Sequence, residues 1–582
     1  MLLEMTKPNI LLLTVEALRF DRLGMSGHKY NTSPVLDNMI EHSLWCENAF
    51  SLAPCTQPSM PTIMTSTRPL SYGGYDLGIK NRPNSLPSIL KKHGYHTRHE
   101  ITFPWLRGTY GYDKGVDNVG HLYNITGIIG ATVHTIRSHV LAYNCGELDS
   151  QIMLGKVSPL LMKCFEDIQS YCEERLTQLE VDRKHFSHSF FIVQDYDYKS
   201  IIEVVRTHQQ KFINDPHTYI DQYIVGLPQN AANYWISKEI KYKRRLGKKV
   251  EMISDLLISY ALSIFNESYS RLYRFRNKVY TDSAELANRL ISNIYQYGRS
   301  NREQPFYLWS HFLDTHAPYC PGQLPNWPKN AKSYLQRSGY AHNLDLSTVF
   351  DKVPASVEAS KVWGAAYDSA INYTDEQIGR VMDALRETGL LDSTLVVVNG
   401  DHGEELGEHG EYGHRFRFYE ECVNVPIMFH MPSIQEQKIE GLTDLSDIAP
   451  TILALAGIEI PGSYIGDDLS SSHNGKQYIQ MEAFHRGNCL FEKKPIYMGV
   501  RSKTHKYIWK EWKDPEDLTT TGNIELFDLE RDQHETNNIF RRYSDVVTKM
   551  HDVVACRLAE IPEYCASRSP EELKNNGVTK YL

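Results

Sequence analysis

The sequence has no long hydrophobic run. No uninterrupted apolar stretch reaches the roughly 18 residues that a membrane-spanning helix needs, so no transmembrane helix is predicted. The N-terminal segment 1–8 leads directly into an apolar run and lacks the basic region and the cleavage site of a signal peptide. The expected compartment is therefore the cytoplasm. A leader removed during maturation, or a secretion route not written in the chain, would change this expectation.

Paired cysteines and an excess of positive charge are also missing. The ten cysteines are scattered and no two form a Cys-x-x-Cys pair. Without an export signal, we interpret them as reduced thiols rather than as a disulfide framework. The 62 basic and 71 acidic residues give a net charge of −9, which argues against a general nucleic-acid-binding protein. The hydrophobic fraction of 41% is typical of a soluble globular protein, and 582 residues are too many for one ordinary domain.

Two apolar runs end in side chains that bind metals. Residues 394–399 predict a buried strand, and the glycine-rich segment 401–414 follows with one aspartate, three histidines and four glutamates. Residues 9–15 predict a second buried strand, which ends at Glu16. In an open α/β sheet, ligands bind beyond the carboxyl ends of the strands. A carboxylate beside an imidazole there suits a divalent metal, although Asp401-His402 alone could be a solvated acidic turn.

A proline-rich turn carries a candidate nucleophile. Thr56 stands two residues before Pro58, and three prolines within residues 53–66 favour the start of a helix. We expect Thr56 to lie exposed on this turn, near a helix N-terminus that also attracts anionic groups. Taken alone, a hydroxyl at such a position is more often a helix cap than a nucleophile.

Together these motifs resemble the sulfatase branch of the alkaline phosphatase superfamily. The resemblance covers residues 7–120 and 300–540. It implies an α/β fold, an alkaline-phosphatase-like central mixed, mostly parallel sheet flanked by helices. The segments that carry the resemblance follow the family's order: 7–10, Arg19 with Asp21, 56–59, 311–319, 401–404, 500–508 and 525–529.

The resemblance implies a set of site residues drawn from four segments. The metal ligands would be Glu16, Thr56, Asp401 and His402, and the catalytic residues Thr56, His316 and His414. Zn²⁺, Mn²⁺, Mg²⁺ and Ca²⁺ are the candidate ions, and the mixed oxygen and nitrogen donors favour the first two. Thr56 would attack the ester, and the two histidines would neutralise or protonate its oxygens.

Two further polar residues follow the predicted strand at 305–310. His311 and Asp314 are candidates for a second metal or for orienting His316. We interpret His311 more simply as a histidine satisfied within the core.

The chain departs from the sulfatase pattern at two places. Sulfatases convert the cysteine of Cys-x-Pro-Ser-Arg to formylglycine, whereas here Thr56 occupies that position and Cys55 precedes it by one residue. Met60 replaces the arginine, and Glu16 stands where sulfatases usually have aspartate. A glutamate with a threonine nucleophile is similar to the phosphoethanolamine and phosphoglycerol transferases of the same superfamily.

We therefore expect a metal-dependent, sulfatase-like enzyme that cleaves phosphate- or sulfate-type esters. Phosphate-type esters are favoured because threonine phosphate esters turn over readily. The substrate would be a small molecule or a glycan or lipid ester, and the oligomeric state is not predicted. Two alternatives stay open: a phosphoethanolamine- or phosphoglycerol-type transferase acting on a glycan or lipid, and a non-catalytic ligand-binding protein of the same fold.

Two segments with helical periodicity lie in the middle of the chain, between the parts that carry the family motifs. Residues 154–179 and 250–274 carry apolar side chains at helical spacing, within a region that matches no family motif. Insertions near the carboxyl edge of a sheet often form lids that set specificity. The expected organisation is a catalytic α/β core at 1–124 and 301–470, a helical insertion and possible lid at 125–300, and a small C-terminal α+β subdomain at 471–582.

The register around Pro58 predicts that Cys55 is not converted to an aldehyde. Intact-mass analysis of the purified protein should give the unmodified mass, because Thr56 rather than Cys55 stands at the nucleophile position. A loss of about 18 Da at Cys55, the change from thiol to aldehyde, would instead restore formylglycine chemistry.

Overall fold

The computed structural model describes the chain in several stretches. The described residues are 7–123, 125–144, 146, 148–185, 197–227, 235–242, 281–300, 304–317, 319, 357–414, 417–471, 475–484, 496–513 and 520–566. The helix predicted at 250–274 lies outside them.

A mixed sheet of eight strands forms the centre of the fold. Its spatial order is β10-β2-β9-β6-β1-β5-β3-β4, and only β9 runs antiparallel to its neighbours. This confirms the predicted mostly parallel α/β sheet. The strands of the chain, in order, are β1 Asn9–Val15, β2 Ser43–Phe50, β3 His96–Ile101, β4 Asn118–His121, β5 Phe306–Phe312, β6 Thr394–Gly400, β7 Glu405–Leu406, β8 Tyr412–Gly413, β9 Ile427–His430, β10 Gln437–Asp444, β11 Ile479–Phe484, β12 Ile496–Arg501, β13 His505–Lys513 and β14 Thr520–Asp528.

Strand β1 lies in the middle of this sheet and is apolar on both faces. Ile10 and Leu12 pack into the core on one side, whereas Leu11 and Leu13 pack into the core on the other. A parallel strand covered on both faces reads as a continuous hydrophobic run, as this one does. Because β1 pairs in parallel with β5 and β6, the residues that follow all three strands meet at one edge.

Helices cover both faces of the sheet and build a separate helical layer. Helix α10 packs against α1 and α9 on one face, and α5 packs against α4 and α6 in the segment between β4 and α9. The helices are α1 Pro34–Met39, α2 Thr56–Thr65, α3 Leu86–Lys92, α4 Ile125–Asn144, α5 Ser150–His185, α6 Tyr198–Asn214, α7 Pro216–Tyr223, α8 Ile236–Tyr242, α9 Ser283–Arg299, α10 Val357–Glu387, α11 Glu420–Val423, α12 Ile448–Leu455, α13 Ser544–Ala559 and α14 Pro562–Ala566.

The C-terminal part contains a second sheet. Strands β11 to β14 form an antiparallel meander, and α13 packs against its apolar face. This agrees with the α+β character expected for residues 471–582, while the boundaries of the three regions stay predictions. Among the described residues, none of the helices combines the length and the apolar character required to cross a bilayer.

One histidine of the central sheet is buried among aromatic rings. His99 on β3 is fully buried, its ring lies 4.7 Å from that of Trp309, and its Nδ1 donates to the carbonyl of Tyr112 over 2.8 Å. Burial lowers the pKa of His99 to about 3, so the folded protein holds this ring neutral.

The neutral state of His99 predicts acid sensitivity. An unfolded histidine binds its proton at about pH 6.5, so the stability that depends on neutral His99 is complete above that pH and is lost as the pH falls toward 3, by about 1.4 kcal/mol per pH unit. In urea unfolding at pH 7 and pH 5, His99→Asn should lose less stability on acidification than the wild type, since its amide can bond Tyr112 without titrating.

The exposed His217 provides the control. His217→Asn should keep the wild-type pH dependence. Equal pH dependence of the wild type and His99→Asn would show that the folded state accommodates a charged ring at position 99.

Candidate active site

Three polar side chains follow adjacent strands at the carboxyl edge of the sheet. The end of β1 carries Glu16, the end of β5 carries His311 and the end of β6 carries Asp401, and all three are buried. Glu16 donates its backbone N–H to the carbonyl of Phe312 over 2.9 Å. The chain then turns at Ala17, with φ of 51°, and the Ala17 N–H donates to Asp401 Oδ1 over 2.9 Å. The backbone after β1 therefore fixes one carboxylate directly beside the other.

Thr56 completes this corner from the first residue of α2. Its hydroxyl lies 2.8 and 2.9 Å from the two carboxylate oxygens of Glu16 and 3.3 Å from His402 Nε2. Only 2% of Thr56 is exposed, so the expectation of an exposed residue was wrong. Cys55 is the N-cap residue, and no side-chain cap bond is formed there. The hydroxyl of Thr56 thus points at the acidic corner rather than at the helix backbone.

His402 turns its Nε2 toward the same corner. Its Nδ1 lies 2.7 Å from the carbonyl oxygen of Gly403, which can only accept, so Nδ1 carries a proton. In the neutral ring, Nε2 is then unprotonated and faces Glu16 Oε1 at 3.0 Å. Imidazoles that bind metals hold their second N–H in this manner, on a backbone carbonyl or a carboxylate.

Burial and the neighbouring charges at this corner have opposite effects on the pKa values of Glu16 and His402. Burial alone would raise the pKa of Glu16, yet its contacts with the rings of His311 and His402 outweigh burial and hold that pKa well below its ordinary value. Burial and then the charge of Glu16 raise the pKa of Asp401. Burial would lower the pKa of His402, but the charges of Asp401 and Glu16 raise it to about 9. Without a cation, the two carboxylates depend on nearby imidazoles for compensation.

The arrangement fits a divalent cation. Among the described residues, Asp401 Oδ2 is buried without a hydrogen-bond partner, although it lies 3.6 Å from His402 Nε2. Donor atoms that share one ion at about 2.0–2.2 Å stand roughly 3 Å apart, as those of Glu16, Thr56 and His402 do here. Carboxylate, hydroxyl and imidazole donors together suit zinc or manganese better than calcium.

His316 and His414 also face this corner. Their rings lie 5.1 Å apart, and the ring of His414 lies 4.4 Å from that of His402. Glu404 holds His414, since its Oε1 is 3.0 Å from Nδ1, and its Oε2 accepts from the hydroxyl of Tyr319 over 2.7 Å. Burial lowers the pKa of His316, whose Nδ1 donates to the carbonyl of Ala317. All six predicted site residues thus converge on one place.

Two polar residues named in the sequence have supporting contacts beside the site. Buried Arg19 joins the loops after β1 and β6, because it donates to the carbonyl of Glu404 over 2.9 Å and to Glu408 over 2.7 Å. In the sequence, Arg19 was named only together with Asp21, as one of the segments that carry the family resemblance. Asp314, a candidate for a second metal, instead accepts the Ser283 backbone N–H at the start of α9 over 2.6 Å.

Family models match most of the chain. The model described as Sulfatase matches residues 8–157 and 186–458, well over half of the sequence. A second model, described as N-sulphoglucosamine sulphohydrolase, C-terminal, matches residues 407–560, which include the second sheet.

Individual proteins agree with the family models. An arylsulfatase of Clostridium perfringens is 23% identical over 92% of this chain and 90% of its own. An N-acetylglucosamine-6-O-sulfatase of Bacteroides thetaiotaomicron is 31% identical over 30% of this chain and 31% of its own. The solved structure of a phosphonate monoester hydrolase of Agrobacterium radiobacter has a TM-score of 0.53 at 15% identity, over 95% of both chains, and so shares the fold.

The convergence of these donors predicts bound metal. Elemental analysis of the purified protein should find about one to two divalent ions per chain. Asp401→Asn should lower this content strongly because it removes a buried ligand charge. Asp314→Asn is the matched control, since Asp314 is equally buried but bonds Ser283, and its metal content should stay at the wild-type level. Purified protein that holds no metal and is not activated by added metal would contradict the prediction.

Proposed function

The chain belongs to the sulfatase family and is a sulfuric ester hydrolase, and we propose that it cleaves its ester through Thr56 with the help of a divalent cation. The observation that carries the proposal is the contact of the Thr56 hydroxyl with both oxygens of Glu16. A buried hydroxyl that donates to a carboxylate can lose its proton as it attacks. The cation would be held by Glu16, Thr56, Asp401 and His402. When bound, it would lower the pKa of the hydroxyl and offset the negative charge of the ester.

The covalent step transfers the sulfuryl group to the chain. The Oγ1 atom of Thr56 forms a bond to sulfur while the bond from sulfur to the leaving alcohol oxygen breaks. The Thr56 proton passes to Glu16, which already accepts its hydrogen bond. Water then cleaves the threonine ester, which releases sulfate and restores the hydroxyl.

The two histidines act on the ester oxygens in this proposal. The Glu404 carboxylate holds His414 at Nδ1, and in this proposal His414 delivers the proton to the leaving oxygen. His316 keeps one proton on the Ala317 carbonyl through Nδ1, so it binds a non-bridging oxygen by donating from a protonated Nε2, a state that the negative ester favours although burial lowers its pKa. Proton delivery and charge stabilisation are thereby divided between two neighbouring rings.

A second candidate reaction is the cleavage of a phosphate-type ester. A specific observation favours it: the nucleophile position holds threonine, whereas the formylglycine of sulfatases needs a cysteine at position 56. Among relatives, the Bacteroides enzyme is named for a sugar sulfate and the Clostridium enzyme for aryl sulfates. We therefore propose a small-molecule or glycan ester as substrate. An acceptor hydroxyl in place of water would make the same site a transferase.

Substitution of Thr56 tests the nucleophile. With aryl sulfate, aryl phosphate, phosphodiester and phosphonate substrates, Thr56→Ala should lower kcat by about a thousandfold or more on whichever ester reacts best. Thr56→Ser should keep part of the rate because it retains the hydroxyl and loses only the methyl group that fixes its rotamer. Loss of one buried hydrogen bond should cost only about 1–2 kcal/mol of folding stability.

Thr62 on the same helix gives the matched control. It is fully buried, and its hydroxyl has no hydrogen-bond partner among the described residues. Thr62→Ala should keep the wild-type kcat. Near wild-type turnover by Thr56→Ala would show that another group attacks the ester.

A further inference from the structure

His311, at the end of β5, lies in the site but is not among the metal ligands proposed above. We propose that His311 is a further ligand of the divalent cation, through Nε2, beside Glu16, Thr56, Asp401 and His402. This inference rests on the proposed metal-dependent function and deepens it, since it assigns to the same cation a residue that the sequence indicated as a core histidine or as a candidate for a second metal.

The sheet register brings His311 to the acidic corner. Strand β5 pairs in parallel with β1, so that His311 lies beside Thr14, two residues before Glu16. Its Nε2 lies 2.7 Å from Glu16 Oε2 and 3.9 Å from Asp401 Oδ2. Only 1% of its side chain is exposed. One ligand atom from each of these three residues falls within 4.8 Å of the others, close enough to share one ion.

The hydrogen bonds of Thr14 indicate which nitrogen of His311 carries the proton. The Trp309 indole N–H donates to Thr14 Oγ1 over 3.2 Å, and the Ser310 carbonyl, which can only accept, lies 3.1 Å from the same oxygen. A hydroxyl has one proton and two lone pairs. If its proton goes to Ser310 and one lone pair to Trp309, the second lone pair accepts from His311 Nδ1 at 2.8 Å.

When Nδ1 carries the single proton of the His311 ring in this way, Nε2 is left with a lone pair. The lone pair of Nε2 then faces the carboxylate of Glu16, which also has only lone pairs to offer. Two acceptors at 2.7 Å repel each other unless a cation lies against both. The environment of His311 resembles that of His402, whose Nδ1 proton is likewise held by an oxygen behind the ring.

The unsatisfied oxygen of Asp401 points to the same conclusion. Among the described residues Oδ2 has no hydrogen-bond partner, and it lies between the Nε2 atoms of His311, at 3.9 Å, and His402, at 3.6 Å. Leaving a buried carboxylate oxygen unpaired is costly. A cation bound between the two rings would satisfy this oxygen and both lone pairs together.

The competing role for His311 is to hold Glu16 by a hydrogen bond from a protonated Nε2. In that role a glutamine could replace it, because the amide N–H would also donate to the carboxylate. The two roles therefore differ in the number of imidazoles bound to the metal and in the response of metal affinity to His311→Gln.

X-ray absorption spectroscopy of the zinc-loaded wild-type protein counts the bound imidazoles directly. Two are expected, from His311 and His402. In His311→Gln the count should fall to one, and zinc affinity, measured by competition with a chelator, should fall about a hundredfold. His402→Gln should also retain one, whereas His99→Asn, a buried histidine outside the site, should retain two and bind zinc as the wild type does.

The possible outcomes separate the inference from the function on which it rests. A single imidazole in the wild type would overturn the role of His311 without any variant, and so would an unchanged count in His311→Gln. Zinc bound at Glu16 and Asp401 with full activity but only one imidazole would leave the proposed function standing. A wild-type protein that binds none of zinc, manganese, magnesium and calcium would overturn both.

Discussion

The site depends on two carboxylates buried side by side at the ends of neighbouring parallel strands. Glu16 and Asp401 are each fully shielded from water, and their mutual repulsion has to be offset by groups that the fold supplies. The Ala17 backbone N–H, the ring of His402 and the hydroxyl of Thr56 all serve this purpose. Each comes from a different part of the chain. Compensation of the two carboxylates at this edge therefore requires the sheet, the first turn of α2 and the loop after β6 to come together.

The smaller sheet supports this loop through a buried ion-pair network. Lys506 on β13 is fully buried and lies 2.6 Å from Glu420 and 2.9 Å from Glu535. Glu420 begins α11, whose carbonyl groups at Glu421 and Cys422 accept the backbone N–H groups of Glu404 and Gly403. Removing one member of a buried network leaves an uncompensated charge and costs about 3–5 kcal/mol. The second sheet therefore contributes to the position of the catalytic loop although it carries none of the proposed site residues.

The sequence was sufficient for features that depend on local pattern. The predicted strand at residues 9–15 coincides with β1, and the one predicted at 394–399 is one residue shorter than β6, because strands covered on both faces are continuously apolar. The site residues were found because they follow such strands. The burial of Thr56 was missed, since it results from contact with Glu16, forty residues away. The pairing of Glu404 with His414 and the position of His311 also depend on the folded loop and on sheet register, which a linear pattern does not contain.

The parallel pairing of β1 with β6 sets the order of events during translation. Ala17 and Asp401, which are joined by a hydrogen bond, are 384 residues apart in the chain. At about 5–20 residues per second, the ribosome needs roughly 20–80 seconds between them. For all of that time the apolar strand β1 lacks its neighbour β6, and the acidic corner is incomplete. The acidic corner can therefore form only after residue 402 has been synthesised, and a chain that stops before residue 401 lacks two of the four proposed metal ligands.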